Sequence, residues 1–259
     1  MKDTIIFDLD GTLLNTLEDL TDSVNCVMAA YAYPVHTLEE VRSYVGNGAA
    51  KLIERSVPQG SDDPAYREML ELFREHYAAH CEDKTAPYAG VTQMLRAAKE
   101  AGYRMAVVSN KPDQAVKQLG AKFFGKYVQE FHGDREGSQR KPAPDMVYRA
   151  LNELGSDARR AVYVGDSEVD LQTAANVPMT CISVTWGFRT DEQLVAAGAR
   201  KENMIKTPQE LLPLLARLQM AEYSVLSRCG YPAHRPPAGI CRCLTGWFPY
   251  PPEDVPASR

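Results

Sequence analysis

From about Gly90 to Leu218, short β-rich apolar runs alternate with longer helical patterns. That rhythm restricts the fold more than any other feature of the chain. The runs are Tyr103 to Ser109, Tyr127 to Phe131, Ala161 to Gly165 and Cys181 to Thr185, and Ile5 to Asp8 adds another at the start. Helix patterns lie between them, near Val91 to Ala101, Asp113 to Phe123, Pro144 to Leu154, Leu171 to Ala175 and Pro208 to Leu218. Strands that alternate with helices form a parallel sheet covered on both faces. The near-continuous apolar character of each run agrees, because such strands are buried on both sides.

Residues 16–84 break the rhythm. Leu17, Leu20, Val24, Val27, Met28 and Tyr31 recur at helical spacing. Thr16-x-x-Asp19 and Thr37-x-x-Glu40 both read as capping boxes. Gly46 closes a second helical pattern, and Pro64 opens a third through Met69, Leu72, Phe73 and Tyr77. The segment is therefore expected to be an all-helical insertion after the first strand, with Lys84 to Gly90 as the return linker. The expected architecture is an α/β core of residues 1–15 and 85–218, Rossmann-like in its parallel sheet, with a helical domain of residues 16–84 inserted. After Leu218 seven prolines appear and no period persists, so residues 219–259 are expected to be a disordered tail. Cys229, His234, Cys241 and Cys243 in that tail offer a small metal site as the alternative reading.

Composition excludes several function classes. The formal net charge of -5 gives no electrostatic footprint for nucleic acid or an anionic membrane. No apolar run is long enough to span a bilayer. The N-terminus carries Asp3, Asp8 and Asp10 where a secretory signal needs an uncharged stretch, which leads us to expect a cytoplasmic protein. Cys26, Cys81 and Cys181 are isolated in apolar patterns and read as reduced thiols. His36, His76, His80 and His132 show no mutual metal spacing and read as structural or surface residues.

Four pieces of sequence fall at strand ends, where open parallel sheets bind ligands. The first is Asp8-Leu9-Asp10-Gly11-Thr12. Its two carboxylates allow a nucleophile and a general acid and base, and Gly11 lets the backbone approach a phosphate. The second, Ser109-Asn110, supplies a hydroxyl and an amide. The third, Lys141, supplies a cation before a helix. The fourth, Gly165-Asp166-Ser167-Glu168-Val169-Asp170, supplies two carboxylates four residues apart. Each piece has a plainer reading, as a turn, a surface lysine or a helix N-cap at Asp166. Together, in this order, they form the set that phosphoryl transfer needs.

These motifs resemble those of the haloacid dehalogenase superfamily over about residues 3–218. The helical insert, Tyr44 to Gly48 and Ser183 to Arg189 resemble the subgroup that includes phosphoglycolate phosphatases. The resemblance implies that Asp8 is the nucleophile and that Asp10 protonates the leaving oxygen, then activates water. It implies that Thr12, Ser109, Asn110 and Lys141 hold the phosphoryl group. It further implies a Mg²⁺ held by Asp8, the Asp10 backbone carbonyl and Asp166, with Asp170 in support. The insert would then be a cap, with Gly46 to Gly48 near the substrate. A small phosphorylated metabolite is the implied partner, with 2-phosphoglycolate foremost. A nucleotide, a sugar phosphate or pyrophosphate are alternatives, as is a phosphomutase reaction. A non-catalytic binding module would lack Asp8 or Asp10, and a carbon–halogen hydrolase would not need Asp10, Asp166 or Asp170. Asn15-Thr16 departs from the acidic residue and Ser common in relatives, and Val177-Pro178 replaces a helix-ending Gly. Oligomeric state leaves no mark in the sequence.

Overall fold

The computed structural model describes residues 2–228. Six parallel strands form one sheet in the spatial order β5-β4-β1-β6-β7-β8. They are β1 (Thr4–Phe7), β4 (Arg104–Pro112), β5 (Glu130–Asp134), β6 (Ala161–Gly165), β7 (Thr180–Val184) and β8 (Met204–Ile205). Every residue of β1 is buried, as a central parallel strand requires. Strand β1 lies between β4 and β6, with Phe7 opposite Val107 on one side and Val164 on the other. The motif-bearing strand ends therefore meet at one carboxyl edge. The connecting helices are α5 (Val91–Glu100), α6 (Asp113–Phe124), α7 (Asp145–Glu153), α8 (Glu168–Asn176) and α9 (Asp191–Ala196). Ile6, Val108, Met146, Val147, Tyr163 and Val177 share one core cluster.

Between β2 (Leu14–Asn15) and β3 (Ala86–Pro87) the chain is helical: α1 (Leu17–Ala30), α2 (Leu38–Tyr44), α3 (Ala49–Ser56) and α4 (Tyr66–His80), with a short 3₁₀ turn at Gly60–Asp62. The two-residue strands β2 and β3 pair antiparallel, so the outgoing and returning chains leave the sheet side by side. Helix α4 buries Met69, Phe73 and Tyr77, four residues apart on one face. Both Thr37 and Glu40 make their capping-box bonds at the start of α2.

The second expected box, at Thr16 and Asp19, is not formed. Thr16 makes no side-chain cap bond. Its hydroxyl donates instead to Asp10 Oδ1 at 2.7 Å. Asp19 accepts from the backbone amides of Lys84 at 2.9 Å and Thr85 at 2.9 Å, so it clamps the returning chain. The capping pattern yields to the site's Asp10 at Thr16 and to partners distant in sequence at Asp19. Strand β5 starts later than the Tyr127 to Phe131 run suggested. Tyr127 and Val128 donate to the Phe124 carbonyl and belong to the turn that closes α6. Helix α8 begins at Glu168, before the expected Leu171, with Ser167 rather than Asp166 at its N-cap. The helix expected to end at Leu218, α10 (Leu211–Arg228), runs on through the first residues assigned to the tail. Cys229, His234, Cys241 and Cys243 lie outside the described residues. No described helix is long and apolar enough to cross a membrane.

Candidate active site

Asp8 follows β1 and is buried, its amide donating to the Val164 carbonyl at 2.9 Å. Asp166 follows β6, and Asp170 sits one turn into α8; both are buried. One carboxylate oxygen from each of Asp8, Asp166 and Asp170 can be chosen so that all lie within 4.8 Å of one another. Close approach is possible because of two glycines. A Cβ on Gly11, which has a φ of +82°, would lie 2.4 Å from Asp166 Oδ2. A Cβ on Gly187 would lie 2.3 Å from the Asp166 Cβ. Any other residue at either place would displace the Asp166 side chain.

Lys141 lies before α7 and sends its ammonium into this cluster. Nζ is 2.8 Å from Asp8 Oδ1, 2.8 Å from Asp170 Oδ1 and 3.1 Å from the Tyr163 hydroxyl. Burial opposes the charge on Lys141, yet Asp170 and Asp8 more than offset it and hold the ammonium well above the ordinary lysine range. Burial pushes Asp8 well above the usual carboxylate range, with Asp170 and Asp166 adding repulsion against the attraction of Lys141. Burial also raises Asp166, together with Asp170, to about 7, although Phe188 N–H and the Thr12 hydroxyl donate to it. One lysine does not neutralise three buried carboxylates. Crowded hard oxygen donors with a deficit of positive charge fit a divalent cation such as Mg²⁺. Asp170 is already occupied: its oxygens accept from Lys141, Tyr163, both backbone amides of Asp166 and Ser167, and the Ser167 hydroxyl. Asp8 and Asp166 are less heavily engaged: Asp8 faces Lys141, and Asp166 accepts from the Thr12 hydroxyl and the Phe188 N–H.

Asp10, Ser109 and Asn110 line the same pocket, whereas Thr12, expected to hold the phosphoryl group, lies buried behind Asp166 and does not line it. Asp10 accepts from Thr16 and, at 2.7 and 3.0 Å, from Lys111 Nζ. Thr12 directs its hydroxyl to Asp166 Oδ1 at 3.0 Å. Asn110 cross-links the loops: its amide donates to the carbonyls of Gly46 and Lys141 and accepts from the Lys141 N–H. Ser109 lines the pocket, which has a volume of about 60 Å³. Gly46 and Gly48 of the insert also line it.

Two residues have roles that the sequence reading did not assign, although Arg189 stands in the stretch Ser183 to Arg189. Lys111 is buried beside Asp10, and it packs over the Tyr77 ring of α4 at 4.6 Å. A lysine directly after Ser109-Asn110 on a buried strand was the available signal. Arg189 pairs with Glu168 at 2.8 Å and donates to the carbonyls of Val45 at 2.9 Å and Arg42 at 3.2 Å. It thus joins the core to the C-terminal end of α2, where a cation is favoured. A second carboxylate and histidine group, Glu130, His132 and Glu153, does not line the pocket.

Residues 5–184 match the family described as haloacid dehalogenase-like hydrolase. The chain belongs to this family. It is 33% identical over 190 residues to a phosphoglycolate phosphatase of Pseudomonas syringae pv. syringae, a match covering 71% of this chain and 70% of the relative. A solved structure from Lactobacillus delbrueckii subsp. bulgaricus is 33% identical with a TM-score of 0.77, over 82% of this chain and 97% of the other. CbbY of Rhodobacter sphaeroides, solved in complex with phosphate, is 27% identical with a TM-score of 0.68, over 82% of this chain and 96% of that one. Together these matches set the chain among the phosphoglycolate phosphatase-like members of the family.

Proposed function

We propose that this phosphoric monoester hydrolase acts on 2-phosphoglycolate with Mg²⁺, through an aspartyl-phosphate on Asp8. The observation that carries the reading is the meeting of Asp8 with Lys141 at 2.8 Å and with Asp166 inside one buried acidic group. Likeness to phosphatase relatives adds the substrate. Asp8 Oδ attacks phosphorus, and the bond to the ester oxygen breaks. Asp10, in its protonated form, gives that proton to the departing oxygen, so the group leaves as a hydroxyl and not as an alkoxide. Asp10 then takes a proton from water as the water oxygen attacks phosphorus, releasing phosphate and restoring Asp8. Lys141 offsets the charge on the phosphoryl oxygens, while Ser109 and the neighbouring loops hold them in line. Asp8, Asp166 and the Asp10 carbonyl would hold Mg²⁺, with Asp170 behind them. A bound Mg²⁺ would supply charge neutralisation between the carboxylates and the phosphoryl group.

The insert, residues 16–84 in this reading, serves as a cap that excludes water and meets the non-phosphate end of the substrate. Support comes from the paired exit and return chains at β2 and β3 and from Gly46 and Gly48 in the pocket wall. Phosphate release from a panel of esters, with and without Mg²⁺, tests the proposal. The expected result is metal-dependent turnover with 2-phosphoglycolate leading in kcat/KM. A nucleotide or sugar phosphate leading by about tenfold, a difference of about 1.4 kcal/mol in transition-state binding, would replace the substrate assignment.

A further inference from the structure

Among the described residues lining the pocket, three are cationic: Lys111, Lys141 and Arg189. Two of them are fully engaged. Lys141 faces Asp8, Asp170 and Tyr163, which matches the three N–H groups of an ammonium. Arg189 grips Glu168 and two insert carbonyls. Lys111 differs, because its charged partner is one carboxylate, Asp10. Beside it lies Tyr77 of the insert, with its ring centre 4.6 Å from Nζ and its hydroxyl close enough to interact with the ammonium.

Tyr77 comes from the insert and lines the same pocket. Its hydroxyl is buried and, the Lys111 ammonium apart, meets no hydrogen-bond partner among the described residues, so its own proton has no acceptor. A buried donor in that condition is uncommon in a folded protein unless a ligand completes it. Leu20, Leu52 and Phe73 supply apolar wall around it. One ammonium and one hydroxyl on an apolar background favour an acceptor-only anionic group over a neutral hydroxyl, since charge-assisted bonds are the stronger ones. The phosphoryl group is taken by the opposite end, at Asp8 and Lys141.

We propose that Lys111 Nζ and Tyr77 Oη form a carboxylate subsite for the leaving-group end of the substrate. This rests on the reading of the pocket as that of a small-ester phosphatase, and it deepens it by naming the chemistry that selects the ester. Asp10 already offsets the charge of Lys111, so the second donor from the insert is what makes the carboxylate preferred. A carboxylate drawn to Lys111 also lies next to Asp10, the group that must protonate the departing oxygen. Recognition and protonation are thereby coupled through one ammonium.

The test compares kcat/KM for 2-phosphoglycolate and for 2-hydroxyethyl phosphate, which carries a neutral hydroxymethyl in place of the carboxylate. It uses the full chain with Mg²⁺, as wild type, Lys111→Met, Lys111→Arg and Tyr77→Phe. Lys111→Met is expected to slow both esters, because Asp10 loses its holder, and also to cut the preference for the carboxylate about tenfold or more. Tyr77→Phe keeps the ring and is expected to cut the preference about tenfold, mainly through KM. Lys111→Arg should restore part of the preference. A wild-type preference that survives unchanged in both Lys111→Met and Tyr77→Phe overturns the subsite while the substrate assignment stands. A wild type with no preference for the carboxylate ester overturns both.

Discussion

The two ends of the pocket are built differently. At the phosphoryl end, the side chains come from the α/β core and hold one another. Asp170 alone accepts from Lys141, Tyr163, Ser167 and the Asp166 amide, and Asp166 is wedged between Gly11 and Gly187. At the proposed leaving-group end, Lys111 from the core packs over the Tyr77 ring, and Phe73, Leu20 and Leu52 of the insert line the same pocket. The hydroxyl of Tyr77 there has no partner besides Lys111 among the described residues. Chemistry common to every phosphate ester is thus preorganised on rigid strand ends. On the proposed reading, selection among esters falls to contacts between two separate stretches of chain, which can change without disturbing the reacting groups.

If the phosphoryl end is one interlocked unit, damage to it should be severe. Asp8→Asn replaces a nucleophilic oxygen with an amide, and turnover should fall by about 10⁴-fold or more on every ester. Circular dichroism should show the variant folded. Residual activity above a few per cent would move the nucleophile elsewhere. Lys141→Met should be almost as damaging to activity and should also weaken the fold, because it strands Asp8 and Asp170 without their cation. Removing one partner of a buried ion pair typically costs about 3–5 kcal/mol. Chemical denaturation of the two proteins measures the difference, and an unchanged stability would mean that water reaches the cluster.

Crowding of carboxylates also gives the phosphoryl end a pH signature. Asp166 is raised to about 7 in the folded chain, from an ordinary value of 3.8. The folded state therefore binds this proton more tightly than the unfolded state does. Its contribution to stability is full below about pH 4 and is lost as the pH rises through about 7. Metal-free wild type should lose melting temperature across that window, and Asp166→Asn should lose less. Added Mg²⁺ should flatten the wild-type profile. Identical profiles for the two metal-free proteins would show that Asp166 is already ionised in the fold.

The sequence carried the phosphoryl end more fully than the other. Asp8, Asp10 and Asp166 follow apolar strand runs, Lys141 precedes a helix and Asp170 lies four residues after Asp166, so the order of the motifs, with the family resemblance, let their meeting be read residue by residue. The secondary structure was equally plain wherever the period was long, as in α1, α5 and α6. It blurred where a short element depended on distant partners. Met204–Ile205 becomes a strand only because β7 lies beside it. Thr16 and Asp19 matched a local cap, but Asp10 of the preceding turn claimed the Thr16 hydroxyl and the distant Lys84 and Thr85 amides claimed Asp19. Lys111 and Arg189 stayed hidden for a related reason. Their roles arise from Tyr77, Arg42 and Val45, on helices whose placement against the core no local pattern records.

Arg189 offers the mildest and most discriminating test of the difference between the two ends. It stands on the core beside Asp166, yet its bonds to Arg42 and Val45 hold the insert and not the reacting groups. Arg189→Ala removes those two bonds and leaves Glu168 without its cation. Glu168 is partly exposed, so water can solvate it and the stability loss should stay near 1 kcal/mol. If the insert closes over the substrate, weakening its attachment lowers the fraction of closed chains. The fall appears as a KM raised about fivefold, the equivalent of about 1 kcal/mol, with kcat at saturation nearly unchanged. Steady-state kinetics on 2-phosphoglycolate and on 2-hydroxyethyl phosphate read this directly, since a loss of closure should raise both KM values together. A drop in kcat with KM intact would place Arg189 on the phosphoryl side, acting through Glu168 on the start of α8. The division between a rigid chemical end and an adjustable recognition end would then have to be redrawn to include the clasp.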